Sequence, residues 1–140
     1  MFGFQAAGAA PLVLGHDVEN PETVATAIRI GKPASGSKAL AARDESNGLI
    51  SSVTDEQILD AQAFLAAKEG IFVEPASAAG VAGLLALKQS GDLPAGQRIV
   101  ITVTGNGLKD IDTALSRTEL STEAVEPSTD RVAALLGLHR

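Results

Sequence analysis

The sequence predicts an α/β fold in which a parallel sheet forms the middle of a three-layer domain. Three observations predict it. Short apolar or β-branched stretches alternate with helix-length segments that carry their own start and stop signals. Residues 99–104 read Ile-Val-Ile-Thr-Val-Thr, β-branched throughout and apolar on both faces, as an interior parallel strand requires. Residues 77–89 place Ala, Gly, Val and Leu on almost every helical face, the pattern of a helix buried on most sides.

The segments follow in order. Phe2 and Phe4 at period two give a short strand over residues 2–5, and a chain that opens inside a strand pattern reads as cut rather than begun. Gly8 to Leu14 forms a short apolar helix or turn that ends at Gly15. Asn20-Pro21-Glu22 is a helix start, with Asn as N-cap and Pro in the first turn, and that helix is expected to run to Gly31. Ser35 to Ser46 predicts a second helix closed by Asn47-Gly48, followed by a strand over Leu49 to Val53. Thr54-Asp55-Glu56-Gln57 has the capping-box pattern and opens a helix with Ile58, Leu59, Ala61, Gln62 and Leu65 at helical spacing, stopped by Gly70. Ile71 to Val73 is a short strand or a link into the buried helix. Asp110 to Ser116 adds a helix. Residues 1–117 are therefore expected to form the α/β body, 118–127 a polar linker, and 128–140 a terminal amphipathic helix capped by Ser128 or Asp130.

Composition narrows the chemistry. The 140 residues are enough to bury a core, and hydrophobic residues at 45% against charged residues at 20% describe a folded chain. Seventeen acidic and eleven basic residues give a net charge of −6, which argues against nucleic acid or an anionic membrane as partner. The sequence has no Cys and only two His, so thiolate chemistry and histidine-rich metal sites are not expected. No apolar run approaches the roughly 20 residues that span a bilayer. This acidic, cysteine-free chain fits the cytoplasm.

Two segments can carry chemistry, and each has a structural alternative. Thr104-Gly105-Asn106-Gly107 follows the strand pattern of residues 99–104; ligands of parallel sheets sit beyond the carboxyl ends of strands, where glycine lets backbone approach. The same residues also suit a tight turn with no ligand. Glu74-Pro75-Ala76-Ser77 brings a carboxylate to the start of a helix whose small faces admit something flat or a neighbouring helix. Close packing with Glu74 or Ser77 as a cap explains it as well. Lys109, beside Asp110, reads as a surface ion pair before it reads as a nucleophile.

Four ordered segments then bear on the question together. They are 3–13 (Gly-Phe-Gln-Ala-Ala-Gly-Ala-Ala-Pro-Leu-Val), 26–35 (Thr-Ala-Ile-Arg-Ile-Gly-Lys-Pro-Ala-Ser), 69–79 (Glu-Gly-Ile-Phe-Val-Glu-Pro-Ala-Ser-Ala-Ala) and 102–110 (Thr-Val-Thr-Gly-Asn-Gly-Leu-Lys-Asp). In this order and spacing the chain resembles the C-terminal portion of the threonine synthases in their short bacterial form, from residue 2 to about residue 116. The resemblance implies a pyridoxal phosphate enzyme of fold type II, the tryptophan-synthase-β-like class. Such an enzyme converts O-phosphohomoserine and water to threonine and phosphate, and is expected to be a homodimer when complete. It implies that the Thr104 hydroxyl meets the pyridine nitrogen and that Ala27 lies against one ring face. It further places the Glu74 carboxylate near the ring, with Gly105 and Gly107 allowing backbone beside the cofactor.

The departure from the family pattern is large. The Ser-Phe-Lys-Asp type segment with the Schiff-base lysine, and the glycine-rich loop for the cofactor phosphate, are absent from these residues, and Lys109 does not replace that lysine. No catalytic residue is therefore assigned. The chain is expected to be inactive alone, as a truncated gene product, an expressed piece or half of a split enzyme lacking its N-terminal portion. It is also expected to expose apolar surface and to self-associate. Two other readings stand beside this one. One is a portion of a threonine or serine dehydratase, against which segments 3–13 and 26–35 weigh. The other is a non-catalytic α/β module that binds a small anion at 104–107 or serves a regulatory partner.

Overall fold

The computed structural model describes residues 1–117 and 124–138; residues 118–123 of the expected linker, and His139 and Arg140 of the expected terminal helix, lie outside the described residues. Two strands, β1 (Phe2–Ala6) and β2 (Leu49–Val53), pair in parallel with Phe2 opposite Leu49 and Ala6 opposite Val53. The crossover between them holds a 3-10 turn over Ala7–Ala9, α1 (Pro11–Leu14), a 3-10 turn over Thr26–Ile28 and α2 (Gly36–Glu45). After β2 come α3 (Asp55–Phe64), which continues as a π-helical turn over Leu65–Glu69, and α4 (Pro75–Ser90). A 3-10 turn over Gly107–Lys109, α5 (Ile111–Leu115) and α6 (Thr129–Leu135) complete the described order. No helix among the described residues is long and apolar enough to cross a membrane.

Local signals account for α3 and α4. The Thr54 hydroxyl accepts the Gln57 amide while the Gln57 side chain accepts the Thr54 amide, so the capping box is closed in both directions. Gly70 ends the π-helical turn in the left-handed conformation, at φ 66°, as the stop signal requires. Pro75 occupies the first turn of α4, and Gly91 closes it at φ 82°.

The core sits where α4 meets the two strands and α3. Ile58, Ala61 and Leu65 of the α3 face are buried against Ala78, Val81 and Ala82 of α4 and against Val53 and Ala6 of the sheet. The alanines keep the helices thin enough to approach closely. Along α4 the closest approach is at Gly83, whose missing side chain leaves the space that the Phe4 ring fills. The buried Gln62 amide donates to the Val73 carbonyl at 2.8 Å and ties α3 to the link before α4.

Two expected elements are corrected. Residues 20–31 form no α-helix, only the 3-10 turn over Thr26–Ile28. The first amide that such a helix would need is engaged elsewhere: Val24 donates to the Asp55 carboxylate, which also accepts the Thr23 hydroxyl. Tertiary hydrogen bonds override the local Asn-Pro-Glu signal. Residues 99–104 pair with no strand among the described residues, because β1 and β2 pair only with each other. Ile101 alone of these residues packs toward the core, beside Gly80, while Val100 is 89% exposed. Of the strand or link expected at 71–73, the structure has the link; Val73 makes one isolated antiparallel bridge to Asn106, with Ile71 and Phe72 exposed. The terminal helix is as expected in type, with Ser128 accepting the Arg131 amide as its cap, but its Val132 and Leu135 are exposed.

Filling the Gly83 space tests how closely α4 must lie on β1. Gly83→Ala is expected to destabilise the chain by about 1–3 kcal/mol, since its Cβ falls on the Phe4 ring. Urea unfolding measures the loss, and Phe4→Leu in the same chain should recover part of it.

Candidate functional site

The site is built by the return of the chain after residue 104 onto the start of α4. Glu74 donates its amide to the Gly105 carbonyl at 3.1 Å, and Gly107 donates to the Phe72 carbonyl at 3.1 Å, so segments 72–74 and 105–107 lie side by side. Between them stands Ser77, 5% exposed, in the first turn of α4. Its Oγ accepts the Gly105 amide at 2.7 Å and the Thr104 amide at 3.1 Å, and lies 3.1 Å from Thr104 Oγ1. The Asn106 side chain accepts the Leu108 amide and caps the 3-10 turn that follows.

Both glycines of the turn lie at close approaches. A Cβ on Gly105 would fall on the Glu74 carboxylate, and one on Gly107 would meet the Phe72 ring at 2.5 Å. Gly105 is buried, Glu74 is half-buried and Thr104 is exposed, so the threonine hydroxyl stands at the surface on a buried support. Beyond it, Asp110 accepts the Thr113 amide at 3.4 Å through Oδ1, while its Oδ2 is buried with no partner among the described residues.

Of the residues singled out by sequence, Thr104, Gly105 and Glu74 come together here. Ala27 does not join them by any hydrogen bond; it is exposed on the 26–28 turn, which packs against α4. Lys109 is exposed on the turn beyond Gly107. Sequence reasoning weighed Ser77 only as a cap. The residue that caps α4 in backbone conformation is Glu74, which makes no side-chain cap hydrogen bond. The available signal was a serine inside an otherwise apolar, buried helix turn, where a hydroxyl must find partners. A separate groove of about 310 Å³ runs between α3 and α4, lined by Gln57, Asp60, Phe64, Leu85 and Gln89, and includes none of these residues. No group of three His, Cys, Asp or Glu stands together among the described residues.

Residues 1–105 match the family of pyridoxal-phosphate dependent enzymes, and the chain belongs to that family. Its relatives are narrower. It is 53% identical over 138 residues to a threonine synthase of Synechocystis, covering 98% of this chain and 36% of that protein. It is 58% identical over 115 residues to a threonine synthase of Mycobacterium tuberculosis, covering 82% of this chain and 32% of that protein. The chain thus spans about a third of the length of the curated relatives it matches. Among solved structures, a fungal L-serine ammonia-lyase from Rhizomucor miehei shares the fold, with a TM-score of 0.57 at 20% identity over 83% of this chain and 40% of that one. The fold-type II class that the sequence resemblance implied therefore holds, with this chain as one part of such an enzyme.

Substituting Gly105 separates site geometry from stability. In Gly105→Ala the clash is with the far end of a flexible side chain, so stability should change by less than about 1 kcal/mol as Glu74 rotates away. A crystal structure of the variant should show the carboxylate displaced from the turn, with the unfolding midpoint nearly unchanged.

Proposed function

We propose that this chain supplies the pyridine-nitrogen side of the cofactor site in a threonine synthase, which converts O-phosphohomoserine and water to L-threonine and phosphate. The observation that carries the reading is the Thr104 hydroxyl, exposed beyond a glycine turn and anchored to α4 through Ser77, in a chain 53% identical to a threonine synthase over nearly its whole length. The residues present fit one edge of pyridoxal 5'-phosphate. A neutral hydroxyl suits a ring nitrogen, and the Glu74 carboxylate, which fills the space that a Cβ on Gly105 would take, is the polar group beside that ring. When bound, the cofactor supplies an electron sink for carbanions formed on the substrate.

The chain's own residues orient that group. Thr104 holds a hydrogen bond at the ring nitrogen, Ala27 keeps one ring face free of bulk, Gly105 allows the backbone to come close, and Glu74 sets a negative charge beside the ring. The body over 1–117 carries these groups, with 118–127 as a link and 128–140 as a terminal helix. The reactive lysine and the phosphate loops come from the N-terminal portion that the relatives possess beyond the matched third. The complete enzyme is a homodimer in the cytoplasm. Segments 3–13 and 26–35 favour the synthase over a dehydratase, the reading that the fold neighbour would otherwise favour.

The test is product analysis in an enzyme that carries these residues on its full-length chain. O-phosphohomoserine should yield phosphate and threonine in equal amounts; ammonia and a keto acid from threonine or serine, without phosphate release, would assign a dehydratase. Thr104→Val should lower kcat/KM by about tenfold to a hundredfold, the loss of one hydrogen bond of about 1.5–3 kcal/mol to a polarised group, and Thr104→Ser should keep most of it. The 140-residue chain alone should release no phosphate and, after borohydride treatment with pyridoxal 5'-phosphate, carry no stoichiometric reduced adduct.

A further inference from the structure

Residues 22–25 cross the carboxyl ends of both strands. The Glu22 amide donates at 3.0 Å to the carbonyl of Gly8, which lies just beyond the end of β1. The Val24 amide donates at 3.0 Å to Oδ2 of Asp55, just beyond the end of β2, and the Thr23 hydroxyl donates to Oδ1 of the same carboxylate. Thr23 Oγ1 in turn accepts the Ala25 amide at 3.1 Å. An ionised carboxylate offers only acceptors, so this one side chain, through both its oxygens, fixes residues 23, 24 and 25. Asp55 is half-buried in the first turn of α3, where the helix favours negative charge; Thr23 and Ala25 are buried.

The 3-10 turn over Thr26–Ile28 begins at the next residue and has little of its own to hold it. It has no side-chain cap, and its backbone bonds run from Ile28 to the Ala25 carbonyl and from Arg29 to the Thr26 carbonyl. Beyond it the chain is fixed again at Gly31, whose carbonyl accepts the Val18 amide at 3.0 Å. Ile28 packs inward against the core, while Ala27 is exposed. The place of Ala27 is therefore set by the anchor that precedes the turn. Parallel sheets take ligands beyond the carboxyl ends of their strands, the edge that this segment crosses.

We propose that Asp55 is a positioning residue that sets, through Thr23 and Val24, the place at which Ala27 faces the cofactor ring. This rests on the reading of Ala27 as the residue against one ring face. A ring that lies on a side chain as short as a methyl follows the backbone that carries it, so a shift of the turn tilts or frees the ring. Asp55 touches neither ring nor substrate and acts through the turn alone.

The experiment uses an enzyme that carries these residues on its full-length chain, with and without pyridoxal 5'-phosphate. Without it, hydrogen exchange at the Ile28 amide should be about threefold or more faster in Asp55→Ala and Thr23→Val, and unchanged in Thr23→Ser, which keeps the hydroxyl. With it, the visible circular dichroism of the bound cofactor, which reports ring orientation, should lose about half its amplitude or more in Asp55→Ala and Thr23→Val and be kept in Thr23→Ser. Ala27→Val should weaken cofactor binding about tenfold or more in the otherwise wild-type enzyme, and about threefold or less on top of Asp55→Ala, where the freed turn carries the added bulk away from the ring.

Unchanged Ile28 exchange in Asp55→Ala and Thr23→Val overturns the proposal. So does unchanged cofactor dichroism in the two variants, the result expected if Asp55 served stability alone. Equal losses from Ala27→Val with and without Asp55→Ala overturn it as well. If Asp55→Ala does not fold, Thr23→Val against Thr23→Ser carries the same three measurements. An Ala27→Val enzyme that binds the cofactor as tightly as the wild type overturns the ring-face reading of Ala27 and this proposal with it. A strong Ala27→Val effect that Asp55→Ala leaves untouched overturns the role of Asp55 and keeps that reading.

Discussion

The close approach of α4 to its neighbours is the constraint on which the rest of this structure depends. Glycine and alanine on the faces of α4 let the Phe4 ring of β1 sit at Gly83, Ile101 at Gly80, and α3 against Ala78 and Ala82. A bulkier helix at this place would separate strands from helices and open the core. Close packing also fixes where the first turn of α4 points. Because that turn carries Ser77, the same packing that builds the core sets the position of Thr104 and Gly105.

The site gains its rigidity from backbone groups rather than from charge. The Glu74 amide on the Gly105 carbonyl, the Gly107 amide on the Phe72 carbonyl, and two amides on Ser77 Oγ hold the turn in register with the start of α4. Such bonds survive changes of pH and salt that weaken exposed ion pairs. A hydroxyl on this support can be presented to a ligand with little loss of conformational freedom on binding, which is what a cofactor-orienting group requires. The chain belongs to the pyridoxal-phosphate dependent enzymes, and at this turn its hydroxyl pair, Ser77 and Thr104, is neutral.

Sequence reasoning read the locally determined elements well. The capping box at Thr54–Gln57, the glycine stop at Gly70, the cap at Ser128 and the strand over 49–53 each depend on residues within a few positions of one another. It failed where distant residues claimed the same backbone groups. Residues 20–25 carry a sound helix start, yet Asp55, more than thirty positions away, takes the Val24 amide and the Thr23 hydroxyl. Residues 99–104 have every local feature of a buried strand, but a ladder needs a second strand beside it, and none of the described residues supplies one. Thr104, Gly105 and Glu74 stood out as candidates by motif, but that residues 74 and 105 lie together is a tertiary fact. Ser77 was visible only as a polar residue in an apolar turn.

By itself, the sequence determined the class of fold, the small-residue character of α4, the glycines of the 104–107 turn and the family to which four ordered segments point. These are properties of side-chain size, polarity and local spacing, which do not change with the path of the chain. Only the tertiary structure decided that Asp55 replaces a helix with a turn and that Ser77 spends both acceptor positions on the backbone of residues 104 and 105. The reason is physical: a hydrogen-bonding group has few partners to give, and which distant group reaches it first is settled by packing rather than by neighbours in sequence.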